Sequence, residues 1–106
     1  IRKAKEIKGF KYIHVLEPCP TGWRSDPSKS IELSRLAVQT GVWPLYEIEN
    51  GDFKISYKPR EFKPVSEYLK PQRRFRHLDE ESTQEIQQNH RDEWERLLRK
   101  DGTNIW

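Results

Sequence analysis

The sequence has one cysteine, little aliphatic material and no long apolar run. A lone cysteine rules out an intrachain disulfide framework, and also a self-contained metal site built from four cysteines. No stretch approaches the roughly 18 apolar residues of a membrane span, so membrane partners are not expected. No signal peptide is visible, and the default compartment is the cytoplasm. Internal repeats and low-complexity tracts are missing too. The first residue is Ile1, which reads as a fragment or as a chain whose beginning is absent. Hydrophobic residues make up 33% of the 106 positions, against about 45–50%, counted with glycine, in ordinary globular domains. Charge of one sign is also scarce. The 20 basic and 17 acidic side chains leave a net charge of +3, too weak a field to choose between an acidic protein and a polyanion.

Aromatic residues are well supplied: 4 Trp, 4 Tyr and 4 Phe. They give large contact areas and are enriched at interfaces. The expectation is a marginal small domain or a piece of a larger assembly.

Residues 1–8 read as the end of a helix, with Ala4 and Ile7 as its contacts and Gly9 as its stop. Phe10, Tyr12, Ile13, Val15 and Leu16 form a nearly continuous apolar run, the pattern of a buried strand in a parallel sheet. His14 within it reads as a satisfied polar residue. Pro18 and Pro20 end that strand. Asp26 and Pro27 then open a helix over 28–40, with Leu33, Leu36, Ala37 and Thr40 on one face and Gly41 as its stop. The order helix, strand, loop, helix is that of an α/β layer.

Asn50-Gly51 between two alternating segments predicts a hairpin, because both residues of a type I′ turn need positive φ. Residues 58–78 hold three prolines and seven lysines and arginines. A short helix near Val65–Leu69 is expected there, inside an irregular segment wrapping a neighbouring subunit. Val65, Tyr68, Leu69, Phe75 and Leu78 are its anchors. No recognition helix or stacking motif supports nucleic-acid binding by its basic run. Ile86, His90, Trp94 and Leu97 mark one face of a last helix over 79–102. Acidic residues crowd its start and basic ones its end, as the helix dipole favours. The chain divides into 1–57, an α/β part with hairpin, and 58–106, the wrapping segment and helix.

The stretch EPCPTGWRSDP, residues 17–27, holds the one cysteine. Cys19 has three readings: a small buried hydrophobe, a nucleophile, or a metal ligand. A nucleophile needs a base, and His14, His77 and His90 fall in separate elements or on the wrong strand face. A metal ligand needs partners from outside these residues. The local setting favours the ligand. Prolines fix the backbone on both sides, Thr21 and Gly22 offer a hydroxyl and an N–H, and Trp23 would roof and dry the site. Arg24 would meet an anion or a surface carboxylate.

YIHVLEPCPTGW, the DPSK helix start and YLKPQRRFRHL resemble the C-terminal part of the β subunit in the pyruvate:ferredoxin branch of the 2-oxoacid:ferredoxin oxidoreductases. The resemblance runs from about Gly9 into the final helix. It implies a partial thiamine-diphosphate-binding α/β domain, comprising a late strand–helix unit with the hairpin and a helical C-terminal extension. The implied activity is oxidative decarboxylation of pyruvate to acetyl-CoA, with thiamine diphosphate, Mg²⁺ and a [4Fe–4S] cluster as cofactors. The implied partners are the other subunits, ferredoxin, pyruvate and coenzyme A. Cys19 would be the fourth cluster ligand, with Thr21 and Gly22 beside the cluster or the thiamine. The family's GDG thiamine motif and its three earlier cysteines are absent, so these residues alone should bind neither cofactor completely and catalyse nothing. The rival reading is a non-catalytic scaffold or interaction module of a larger complex.

Overall fold

A computed structural model describes residues 1–106 as five helices and one two-stranded antiparallel sheet. Helix α1 is Arg2–Glu6, and Gly9 beyond it takes φ +96°. Helix α2 is the single turn Pro20–Trp23. Asp26 Oδ1 accepts the Ser28 N–H at 2.9 Å and opens a 3₁₀ turn that runs into α3, Ser30–Gln39. Gly41, at φ +84°, stops it. The hairpin strands are β1, Tyr46–Glu49, and β2, Asp52–Ile55, joined by Asn50 (φ 51°) and Gly51 (φ 85°) as the turn chemistry requires. Helix α4 is Ser66–Leu69, followed by a 3₁₀ turn over Arg73–Phe75. Helix α5, Glu80–Lys100, is capped by Asp79, whose carboxylate accepts the Ser82 N–H at 2.7 Å.

Two apolar clusters hold these elements. In the first, Leu33, Leu36 and Ala37 of α3 pack with Val65, Tyr68, Leu69 and the indole of Trp23. In the second, Phe53 and Ile55 of β2 lie on Trp94 and Leu97 of α5, with Phe62 set edge-on to Trp94. Both clusters draw on residues from either side of position 57/58. Arg91 of α5 ties them together. Its guanidinium lies 4.2 Å over Phe62, donates to Thr40 O at 2.9 Å and to Lys63 O at 3.3 Å. Partial burial holds its pKa below the usual arginine value. His90 on the same helix is half-buried, and burial lowers its pKa as well.

The C-terminal tail extends the sheet. Phe53 N–H donates to Thr103 O and Ile105 N–H to Gly51 O, which puts the Trp106 ring over the hairpin turn. Asp101, just past α5, accepts the Ile55 N–H at 2.8 Å and meets Lys58 Nζ at 2.5 Å.

Two expectations are corrected. No strand forms over 10–17. The only sheet is the hairpin, and no backbone–backbone hydrogen bond involves these residues. Phe10 is 92% and Val15 71% exposed. A parallel strand gains its stability from neighbours on both edges and both faces, and within this chain no strand pairs with this run and only its end, at Leu16, packs against the first cluster. His14 accordingly lies in the open, edge-on to Trp43 at 4.6 Å. The combination of helices with a hairpin remains compatible with the α/β class. Second, the anchors of 58–78 are used inside the chain: Val65, Tyr68 and Leu69 are buried in the first cluster, and Phe75 and Leu78 pack against it. No helix is long and apolar enough to cross a membrane.

Two predictions follow from this packing. A Cβ at Gly51 would lie 2.6 Å from Trp106 Cγ, at a positive φ. Gly51→Ala should therefore destabilise the chain by about 1–3 kcal/mol in denaturant titrations, and no loss would show that the tail is not seated there. Asp101 has its pKa lowered from the ordinary 3.8, chiefly by Lys58 and then by the Ile55 N–H. A lowered carboxylate pKa stabilises the fold above the ordinary value and loses that contribution as pH falls through the folded value. The melting-temperature gap between the native chain and Asp101→Asn should thus shrink below pH 3.8.

Candidate functional site: the Cys19 turn

The turn at Cys19 is built from its own backbone. Pro20 sits at the first helical position, where its missing N–H costs nothing. Cys19 O accepts the Trp23 N–H at 2.8 Å, and Pro20 O accepts the Ser25 N–H at 3.1 Å. Arg24 closes the turn in the left-handed region, φ 54° and ψ 48°, and its carbonyl accepts the Arg73 N–H at 3.2 Å. The loop is thereby joined to the 3₁₀ turn Arg73–Phe75.

Cys19 is exposed and free, which removes the buried-hydrophobe reading. Its sulfur accepts the Gly22 N–H at 3.4 Å. No side-chain base bonds it, so the nucleophile reading gains nothing. A Cβ at Gly22 would lie 3.4 Å from Sγ, in ordinary contact with the sulfur. Thr21 is exposed, and its hydroxyl makes no hydrogen bond within the chain. No group of three or more His, Cys, Asp or Glu side chains gathers into a metal cluster. Chemically, the turn presents a single exposed thiol whose sulfur accepts an amide N–H. A lone thiol can supply at most one ligand to a metal centre.

Trp23 does not roof the thiol. Its ring is 8% exposed and sits in the first cluster, edge-on to Tyr68 at 6.2 Å. Arg24 forms no ion pair. Ser25 is buried, and its Oγ has no hydrogen-bond partner. Two residues that sequence reasoning missed hold Trp23 in place. The Arg74 guanidinium lies 4.4 Å over its ring and 4.5 Å over that of Phe75. Gln72, 1% exposed, donates to Tyr68 O at 2.6 Å and accepts from Arg74 Nε at 2.9 Å. No local pattern in the QRRFR run signals these contacts.

No protein-family model matches the chain. Curated relatives do. The pyruvate synthase subunit PorB of Methanothermobacter marburgensis is 59% identical over 88 residues, 83% of this chain and 31% of the relative. The ketoisovalerate oxidoreductase subunit VorB of Pyrococcus furiosus is 46% identical over 99 residues, 92% of this chain and 32% of the relative. The PorB subunit of Thermotoga maritima is 44% identical over 103 residues, with the same coverage. The chain belongs to the family of these 2-oxoacid oxidoreductase subunits. It spans about a third of the length of the curated relatives it matches.

The exposure of Cys19 predicts that a disulfide thiol reagent modifies it fully in the folded chain without denaturant. A rate that rises steeply only as the fold is unfolded would contradict the turn described here.

Proposed function

We propose that this chain acts as part of the β subunit of a pyruvate:ferredoxin oxidoreductase, with Cys19 as one thiolate ligand of a [4Fe–4S] cluster. The observation that carries the reading is the 59% identity to pyruvate synthase subunits over 83% of the chain. The open, amide-bonded thiol of Cys19 supports the ligand role. When bound, such a cluster accepts electrons one at a time from the oxidation of the 2-oxoacid. The chain's own contribution is mechanical and electrostatic. Cys19 would bind one iron, the Gly22 N–H bonds its sulfur, and Trp23 holds the turn to the core. Thr21 and Gly22 lie near the cluster or the thiamine in this reading.

The thiamine diphosphate, its Mg²⁺ and the remaining cluster ligands are assigned to residues outside this chain. Other subunits, coenzyme A, pyruvate and ferredoxin are the partners, and the cytoplasm is the compartment. Pyruvate is preferred because relatives named for it reach the higher identity, whereas those named for ketoisovalerate stand at 46%. A scaffold role is the second reading, supported by the bare apolar run of Phe10, Tyr12 and Val15, which calls for covering neighbours.

The test is Cys19→Ala in the assembled complex. The expected result is loss of one cluster's electron paramagnetic resonance signal and of pyruvate-dependent ferredoxin reduction, with bound thiamine retained. Full cluster content and activity in that variant would overturn the ligand assignment.

A further inference from the structure

Gln72 is 1% exposed, and both ends of its side-chain amide are engaged. Its Nε2 donates to Tyr68 O of α4 at 2.6 Å, and its Oε1 accepts from Arg74 Nε at 2.9 Å. The Arg74 guanidinium stands 4.4 Å from the centre of the Trp23 ring and 4.5 Å from that of Phe75. Arg73, between the two, adds a second link: its N–H donates to Arg24 O at 3.2 Å. Gln72, Arg73 and Arg74 thus hold the cysteine turn at two points, by side chains at Trp23 and by backbone at Arg24.

Both points bear on Cys19. Trp23 N–H donates to Cys19 O at 2.8 Å, within the same turn whose Gly22 N–H reaches the Cys19 sulfur at 3.4 Å. Arg24 is left-handed, φ 54° and ψ 48°, a conformation that a residue with a side chain keeps only where its surroundings impose it. A helix of one turn does not persist unaided. A shift of Trp23 or Arg24 would therefore move the Gly22 donor off the sulfur. Hydrogen bonds to the ligand sulfurs help to set the potential of an iron–sulfur cluster. A donor favours the reduced state, which carries one more negative charge, and so raises the potential.

We infer that Gln72 and Arg74 are positioning residues for the Cys19 cluster, fixing the Gly22 N–H on the ligand sulfur and thereby raising the cluster's reduction potential. This rests on the proposed ligand role of Cys19. A buried polar contact with its partners satisfied specifies one arrangement of its neighbours, which simple filling of the core does not. Charge alone is a poor account of Arg74. Lysine carries the same charge, but it lacks the flat guanidinium that lies on the Trp23 ring and the Nε that bonds Gln72.

The test uses the assembled oxidoreductase that contains this chain, titrated with a reductant and followed by electron paramagnetic resonance. The cluster concerned is the one whose signal Cys19→Ala removes. Gln72→Leu, which alters no charge, should lower that cluster's potential by up to about 59 mV, a tenfold change in a one-electron equilibrium constant. Its iron content should be retained. Arg74→Gln should shift the potential in the same direction, and Arg74→Lys should not restore it. An unchanged or raised potential in Gln72→Leu and Arg74→Gln overturns the inference. Full restoration by Arg74→Lys overturns it too, because charge would then be the cause. Should Gln72→Leu fail to assemble, the Arg74 variants decide, since that side chain is exposed. Failure of the ligand reading shows separately, as no signal lost in Cys19→Ala, and takes the inference with it.

Discussion

The indole of Trp23 is the contact on which the rest of the site depends. It is the one side chain of the PCPTGW turn that enters the core, where it joins the cluster formed with α3 and α4. Truncating a buried aromatic costs about 3–5 kcal/mol, a large part of the stability of a small domain. The four residues of α2 are too few to hold a helix by themselves. The geometry at Cys19 is therefore borrowed from the core. The thiol can stay exposed because the residue four positions on is buried and pinned by Tyr68 and Arg74.

This division of labour suits a ligand shared between chain segments. The rigid part lies behind the cysteine, in the apolar cluster and the Arg74–Gln72 chain of contacts. The open part lies in front, where the Gly22 N–H bonds the sulfur and Thr21 faces solvent. Prolines on both sides of Cys19 and the left-handed Arg24 limit how far the loop can move. Contacts behind a metal ligand orient it, and a turn stapled to a core can do this better than a free loop.

Much of this was legible in the sequence wherever a signal was local. The Asn50-Gly51 hairpin, the Asp26–Pro27 helix start, the short helix at Ser66–Leu69 and the Ile86–Trp94–Leu97 face all rest on turn chemistry, capping or periodicity. What escaped was set by distant partners. The run Phe10–Leu16 has the composition of a buried strand, yet a strand is a property of its neighbours as much as of its residues. Trp23 sits four residues after the cysteine, which suggested a roof, but its ring packs with α3 and α4 instead. No local pattern over 73–76 shows that two aromatic rings and a buried glutamine hold Arg74.

The central claim is that the exposed Cys19 thiolate is bound to iron by a turn fixed through Trp23. An experimental structure of the assembled complex, with anomalous scattering at the iron edge, tests it most directly. The account predicts an iron bonded to Cys19 Sγ, the Gly22 N–H directed at that same sulfur, and the Trp23 ring still within the core. Iron clusters complete without Cys19, or a Trp23 ring turned out of the core, would contradict it.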